Sequence, residues 1–290
     1  MNKKRIIMGT LSLENRHFTR MALFSAFRGD WGFADWVVID NGSQQDDICS
    51  LKLEFPEVEF IRNETNCGVA PGWNKILKYG EYDFFCIFNN DIVFCKRFVP
   101  LILEFLDAHP EAGCVSPYIQ DCRQDLAKEV SDKYDQIRNF YDNEQQIMAA
   151  LKYTYLPWQK VAGDAFLGFD NYSKLVEEEY QGQILPQILG SCFVLRRETI
   201  QDIGYLDEDF TEQNNVGISE DFTLSWRLTK SQKWQQIMAK NIAVHHFACQ
   251  TRKRDALMMR EYGIDGATWE KLRYKNTRLF CGGDDLAPQK

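Results

Sequence analysis

Residues 84–94, FFCIFNNDIVF, place a polar triplet between two apolar runs. Five strand-forming residues lead into Asn89, Asn90 and Asp91, and the apolar run resumes at Ile92. A buried strand that becomes polar at its end leaves the sheet there, and open α/β sheets bind ligands beyond the carboxyl ends of their strands. An ordinary turn has the same pattern, so the rest of the chain must separate the two interpretations.

The first hundred residues alternate between strand-like and helix-like segments. Strand patterns occupy residues 5–10, 36–43, 58–63 and 84–91, and helix patterns occupy residues 15–27, 46–55, 70–80 and 98–109. Strands and helices alternating at this spacing are typical of βαβ units. We therefore expect an α/β fold with a mostly parallel central sheet flanked by helices.

The character of the sequence changes between residues 121 and 187. This stretch is polar and acidic, has no clear strand pattern, and is interpreted as a largely helical insertion over one edge of the sheet. A strand followed by a helix returns at 188–204, a helix is predicted at 219–231, and a last strand at 241–247. We expect one domain over 1–250 and a basic helical extension over 251–290.

Composition excludes several classes of protein. The formal net charge of -8 argues against a nucleic-acid-binding protein, and 44% hydrophobic residues with 13% aromatics are ample for a packed core. The nine cysteines are scattered singly, which favours a reducing compartment over a disulfide framework. No apolar run approaches the ~20 residues of a membrane span, and the basic N-terminal segment is too short for a signal peptide. We expect a cytoplasmic protein. The basic stretch 250–280 is either a solvated helical surface or a region that contacts the membrane surface or an anionic acceptor.

Three polar positions follow three predicted strands, namely Thr10, the pair Asp40-Asn41, and the triplet at 89–91. The carboxyl ends of parallel strands lie along one edge, so these positions converge on one crevice. An acid after the second strand is placed to accept hydrogen bonds from a ribose or base, although the following Asn-Gly-Ser also forms a tight turn by itself. The chain has neither a Gly-x-Gly-x-x-Gly nor a Walker pattern, so a diphosphate would need a divalent cation, which Asp91 would bind.

Two further groups of titratable residues have alternative interpretations. Glu220 and Asp221 occupy a predicted first helical turn, where acids complement the helix dipole without any other role. His245 and His246 end the last predicted strand, so one of them faces inward, as a core residue or as a metal or phosphate ligand.

Taken together and in order, these motifs resemble a family 2 glycosyltransferase with the GT-A fold, over roughly residues 5–250. VVIDNGS is similar to the family's second strand with its nucleotide-contacting acid, and NETNCGVAPGWNKI is similar to its Asn-x-Gly-x-x-x-x-x-Asn segment. FNNDI stands at the position of the family's Asp-x-Asp motif, and LGSCFVLRRETIQDIGYLDEDF is similar to the run before the catalytic acid. SEDFTLSWRL resembles the family's Glu-Asp helix, and VHHF resembles the segment with its late histidine. The Asn-Asn-Asp form is rhamnosyltransferase-like.

The resemblance implies a reaction and a role for each matching residue. Asp221 would be the general base, Glu220 would orient the acceptor, and Asp91 would hold Mn²⁺ or Mg²⁺ against the donor diphosphate. His245 would be the first candidate for a further metal or phosphate contact and His246 the second. The implied donor-binding residues are Thr10, Asp40, Asn41, Asn66, Gly68, Asn74, Asn89, Asn90 and Asp91.

The sequence departs from the family pattern in two places. An amide replaces the first acid of Asp-x-Asp, and the first strand lacks the usual Pro-Thr-x-Asn. The Gln-x-x-Arg-Trp motif of processive synthases is absent, which favours the addition of one sugar at a time.

The function predicted from the resemblance is transfer of one sugar from a UDP-, dTDP- or GDP-sugar to a glycan or lipid-linked acceptor, with inversion, in polysaccharide synthesis. The insertion would recognise the acceptor, with Tyr153, Tyr155 and Trp158 stacking on sugar rings or packing internally. A retaining enzyme on the same fold and a catalytically silent nucleotide-sugar-binding module remain open. A nucleotidyltransferase would require a Gly-rich phosphate loop, which the sequence lacks.

Overall fold

The computed structural model describes residues 5–44, 47–120, 141, 143–158, 165–208 and 220–247. The strands are β1 Ile6–Ser12, β2 Ala34–Asp40, β3 Val58–Arg62, β4 Phe84–Asn89, β5 Ile92–Phe94, β6 Ala112–Gln120, β7 Ile184–Leu185, β8 Cys192–Arg196 and β9 Gln235–His246. The helices are α1 Arg16–Phe27, α2 Val69–Leu77, α3 Phe98–Ala108, α4 Glu144–Thr154, α5 Ala165–Glu179, α6 Arg197–Ile203 and α7 Glu220–Ser231. Short 3₁₀ helices cover Ile48–Leu53 and Leu156–Trp158.

All of these strands belong to one mixed sheet, in the order β3-β2-β1-β4-β8-β6-β9-β5, with β7 paired to β9. The four strands from β3 to β4 are parallel, as the alternating sequence predicted. Strand β8 runs antiparallel to β4 and β6, β9 is parallel to β6, and β5 is antiparallel to β9. The predicted α/β fold with its flanking helices is confirmed.

The apolar strands are buried on both faces, which explains their continuous hydrophobic runs. In β1, Ile6 and Met8 join the core on the side of α1 and α3, whereas Ile7 joins the core on the side of α2 and α7. Gly9 faces α2, and a Cβ there would lie 2.3 Å from the Ile76 side chain. Helix α2 therefore packs tightly on strand β1.

The structure differs from the sequence prediction at three elements. Strand β6 was not predicted, because Pro117 lacks the amide hydrogen that a sheet ladder uses; the strand accommodates it at a register shift between Pro117 and Tyr118. In the segment predicted as a helix at 46–55, the structure has a short 3₁₀ helix over Ile48–Leu53. The insertion, expected to have no strand, contains β7, which pairs with residues of β9.

The described part of the insertion is otherwise helical and packs on the sheet and α1. Asp170 of α5 accepts two hydrogen bonds from Arg28, of 2.9 and 3.1 Å, and lies 3.2 Å from the Lys96 amine. Within the described ranges, no helix is both long and apolar enough to cross a membrane. The predicted basic extension at 251–290 and the first twenty residues of the insertion lie outside the described residues.

Candidate active site

The triplet at 89–91 forms the corner between β4 and β5. Asn90 turns inward: its amide donates to the hydroxyls of Ser12 at 3.3 Å and Thr19 at 3.0 Å. The backbone of Asn89 donates to the carbonyl of Ser191 at 2.8 Å, so the corner is fixed to the chain that enters β8. The inward amide of Asn90 supports the corner.

Asp91 and His246 face each other across the β5–β9 pair. Nε2 of His246 lies 3.1 Å from Oδ1 of Asp91, and the amide nitrogen of Asn89 lies 3.4 Å from the same imidazole nitrogen. The register that pairs Ile92 with His246 brings the two side chains together. The backbone N–H of Phe247 donates to the carbonyl of Asp91 at 3.0 Å and fixes this arrangement.

This pair fits part of a divalent-cation site. A carboxylate and an imidazole directed at one point are two ligand types that divalent metals take in proteins. No group of three or more His, Cys, Asp or Glu residues that could hold a metal occurs within the described residues. Oxygens from a substrate or water would therefore have to complete the coordination.

His245 points to the opposite side of β9 from His246, because successive strand residues alternate. Its Nδ1 lies 2.9 Å from the hydroxyl of Tyr155, and the ring packs edge-on against Phe169 and Phe247. Burial lowers the pKa of His245 to about 3, so the ring is neutral at neutral pH. The sequence ranked His245 above His246 as the metal or phosphate contact, but the structure places His246, not His245, beside Asp91.

Asp40 ends β2 and organises the turn that follows. Its Oδ1 accepts a 3.0 Å hydrogen bond from the Ser43 amide, and Nε of Arg62 lies 3.6 Å from its Oδ2. Gly42 adopts φ +84°, and a Cβ there would lie 2.5 Å from the backbone of Thr65. The Asn-Gly-Ser sequence therefore forms the tight turn that its composition predicts, and the turn packs directly on the next loop.

Asn41 is the centre of a hydrogen-bond network that joins this turn to the start of α2. Its amide nitrogen donates to the side chain of Asn66 at 2.8 Å and to the carbonyl of Gly68 at 3.1 Å. Its oxygen accepts from the amides of Asn63 at 2.9 Å and Cys67 at 3.2 Å. Three predicted donor-binding residues, at 41, 66 and 68, thus join the loops after β2 and β3 at the carboxyl edge of the sheet, and we refer to these two linked loops as the loop around Asn41.

Two other predicted donor-binding residues are buried and hydrogen-bonded to other parts of the protein. Thr10 is fully buried and donates to the carbonyl of Phe88 at 2.7 Å. Asn74 lies in the middle of α2 and hydrogen-bonds to Leu206 and Glu208. The structure therefore does not bring Thr10 and Asn74 into the loop around Asn41.

Asp221 lies in the first turn of α7 with an exposed side chain. It packs against Gly190, where a Cβ would lie 2.5 Å from Oδ2 of Asp221. The next residue, Ser191, is the one whose carbonyl holds the backbone of Asn89. The Gly190-Ser191 segment therefore connects the predicted base to the Asn-Asn-Asp corner. The sequence prediction did not assign a role to Gly190, although a glycine just before strand β8 was a signal of close packing.

Comparison with known proteins agrees with this architecture. Residues 15–157 match the family model Glycosyl transferase family 2. The mannosyltransferase PcManGT of Pyrobaculum calidifontis, solved with GDP-Man and Mn²⁺, is similar with a TM-score of 0.53 and 15% identity, over 83% of this chain and 56% of that one. S. aureus TarS 1-349 is similar with a TM-score of 0.53 and 12% identity, over 83% of this chain and 60% of that one. No curated protein sequence matches the chain significantly.

A third solved structure, GalNAc-T7 with UDP, GalNAc and Mn²⁺, has a TM-score of 0.54 and 11% identity, over 83% of this chain and 43% of that one. The chain thus spans between two fifths and three fifths of the length of these three solved chains. The fold is the GT-A fold. The matched family model covers residues 15–157, which is 143 of the 290 residues and so just under half of the chain.

Proposed function

We propose that this protein transfers one sugar from a nucleotide-diphosphate sugar to a hydroxyl group of a glycan or lipid-linked acceptor, with inversion at the anomeric carbon. The observation that carries the proposal is the link between two sites at one sheet edge. Asp91 and His246 lie at the Asn-Asn-Asp corner, and the exposed Asp221 lies against Gly190, one residue from the carbonyl that holds this corner.

The nucleotide would bind along the loop centred on Asn41. Asp40 and Asn41 are buried and hold the loop in shape, Gly68 is also buried, and Asn66 is partly exposed at the rim. Arg62, the last residue of β3, adds a positive charge beside Asp40. The related solved structures hold GDP-Man or UDP, which supports a nucleotide-sugar donor without selecting the base.

Asp91 and His246 would hold Mn²⁺ or Mg²⁺ together with diphosphate oxygens. When bound, the cation supplies positive charge that stabilises the departing nucleoside diphosphate. The amide nitrogen of Asn89 lies 3.4 Å from Nε2 of His246, the nitrogen that also faces Asp91, so Asn89 borders the same site. Two structural relatives were solved with Mn²⁺, which supports the choice of a divalent cation.

Asp221 would act as the general base on the acceptor hydroxyl. Its carboxylate is exposed, so an acceptor can reach it, and a positioned base contributes ~10²–10⁴-fold in rate. With the base on one side of the sugar and the leaving group on the other, attack is in line and the anomeric configuration inverts. Glu220, the neighbouring acid, would orient the acceptor.

The insertion would provide part of the acceptor surface. Tyr153 is exposed and Trp158 is partly exposed on α4 and the following 3₁₀ turn, so both rings are available for stacking on a sugar. Tyr155 is fully buried against His245 and is assigned an internal packing role instead.

The test is nucleotide release from a panel of UDP-, GDP- and dTDP-sugars with Mn²⁺ or Mg²⁺, with donor binding followed by thermal shift. We expect one donor class both to bind and to be slowly hydrolysed. NMR of the product should then show an inverted anomeric configuration; retention would exclude Asp221 as the base in a single displacement. A donor that binds but is never transferred, whatever acceptor is supplied, would instead establish the silent binding module. No binding at all would contradict the glycosyltransferase proposal.

A further inference from the structure

The side chain of Asn74 is fully engaged with one loop. Its amide nitrogen donates to the carbonyl of Leu206 at 2.8 Å and to Oε1 of Glu208 at 2.7 Å. Its oxygen accepts from the backbone N–H of Leu206 at 2.9 Å. Asn74 is only 1% exposed, and both hydrogens of its amide are used, so the side chain presents no surface to a ligand.

The same loop is held from its other side by the helix that carries Asp221. Arg227 of α7 donates to the carbonyl of Tyr205, and its Nη2 lies 3.3 Å from the carboxylate of Asp207. The buried side chain of Leu206 packs in one apolar cluster with Leu224 of α7 and with residues of α2. Residues 204–208 therefore lie between α2 and α7 and contact both.

The positions of the two helices give this loop its significance. Helix α2 begins directly after Gly68, which belongs to the loop around Asn41. Helix α7 begins with the acidic pair whose second member, Asp221, packs on Gly190. The loop at 204–208 is thus a common support for the donor side and the base side of the crevice.

We propose that Asn74 is a positioning residue that sets the placement of Asp221 relative to the donor, and that it does not contact the donor itself. This inference rests on the proposed function, in which Asp221 is the base. Loss of the Asn74 hydrogen bonds frees the backbone of Leu206 from α2 and leaves only its side-chain packing there. The distance between the start of α7 and the loop around Asn41 is then less tightly fixed. The hydrogen bonds within the loop around Asn41 are unchanged.

The test compares steady-state kinetics of Asn74→Ala with those of the wild type. We expect kcat to fall by about 10-fold to 100-fold, because small misplacements of a catalytic group have effects of this order, while the donor KM stays within about threefold. Ser231→Ala is the control, since it removes a 2.7 Å hydrogen bond to Leu228 at the far end of α7. It should leave kcat unchanged. A rise in donor KM with unchanged kcat, or an effect no larger than that of Ser231→Ala, would overturn the inference.

Two further variants keep the test decisive. Arg227→Ala loosens the same loop from a partly exposed position, so it tests the inference if Asn74→Ala does not fold; we expect the same loss of kcat with donor KM preserved. Asp221→Asn separates this inference from the proposed function. If Asp221→Asn keeps wild-type kcat, the proposed base is wrong. If Asp221→Asn is inactive and both loop variants keep wild-type kcat, only the role of Asn74 is wrong.

Discussion

Replacing Gly190 by alanine should disable the proposed transfer reaction by moving the proposed base. The added Cβ would lie 2.5 Å from Oδ2 of Asp221 and 2.7 Å from its Cβ and Cγ. Carbon contacts are comfortable at about 3.5 Å, so the overlap is about 1 Å. Because the Cβ of Asp221 is itself among the overlapping atoms, rotating the carboxylate does not remove the clash, and the first turn of α7 has to shift.

A shift of this size has a predictable kinetic consequence. Misplacing a reacting group by about 1 Å can cost about 10²-fold in rate. The three atoms nearest to the added Cβ all belong to Asp221, so the proposed donor-binding residues around Asn41 and at Asp91 should keep their positions. We therefore expect Gly190→Ala to lower kcat by about 100-fold with little change in donor KM. The free energy of unfolding should fall by about 1–3 kcal/mol, which is the usual cost of overpacking.

The assay is nucleotide release with saturating donor and acceptor, accompanied by donor affinity from calorimetry and stability from urea denaturation. Gly32→Ala is the matched control, since a Cβ there has no atom within 4 Å. Its kcat should equal that of the wild type. If folded Gly190→Ala keeps kcat within about threefold of the control, then contact with Gly190 does not position the base, and the geometric argument is refuted.

Three other predictions concern the supporting structure. Asp170→Ala should lower the free energy of unfolding in urea by about 3–5 kcal/mol, because it leaves the Arg28 guanidinium, which is 14% exposed, without its carboxylate; a loss under about 1 kcal/mol would refute this. His246→Ala should weaken Mn²⁺ binding by at least about tenfold in calorimetry, and His245→Asn by much less; equal losses would contradict the placement of His246 beside Asp91. Asn90→Ala should cost about 1–3 kcal/mol of stability and leave donor affinity unchanged, whereas a selective loss of donor binding would give Asn90 a direct role.

Local sequence patterns were sufficient to predict the parallel half of the sheet. Strands β1, β2 and β4 are buried on both faces, and β1, β2 and β3 are each followed by a helix or a 3₁₀ turn, so the apolar runs have clear ends. Strand β6 has no such clear pattern, because it contains a glycine and Pro117. Its place in the sheet comes from pairing with β8 and β9, which are distant in the sequence.

The orientation of neighbouring side chains could not be obtained from the sequence. Asn90 and Asp91 are adjacent, yet one hydrogen-bonds inward to α1 and the other faces His246. Which of the two histidines meets Asp91 depends on the register that pairs Ile92 with His246, residues more than a hundred positions apart. The order of the motifs predicted the correct edge of the sheet, but the strand register determines which side chain faces Asp91.

The role of Asn74 illustrates the same limit. In the family pattern, Asn74 stands in a segment associated with donor binding, and its type is equally suited to contact a sugar or a backbone. In the structure, Asn74 hydrogen-bonds to the backbone of Leu206. Gly9 allows α2 to pack closely on β1, and the loop at 204–208 follows α6 on the same side of the sheet. That contact joins segments 132 residues apart.

The measurement that tests the account most directly is donor affinity beside kcat for Asp221→Asn and Asp91→Ala, with the active donor and Mn²⁺. We expect Asp221→Asn to bind the donor normally but to lose turnover, by about 10²-fold or more, because only the base is removed. We expect Asp91→Ala to lose both metal-dependent donor binding and turnover. Wild-type turnover in Asp221→Asn, or unchanged metal-dependent donor affinity in Asp91→Ala, would contradict the assignment of base and donor site to these two residues.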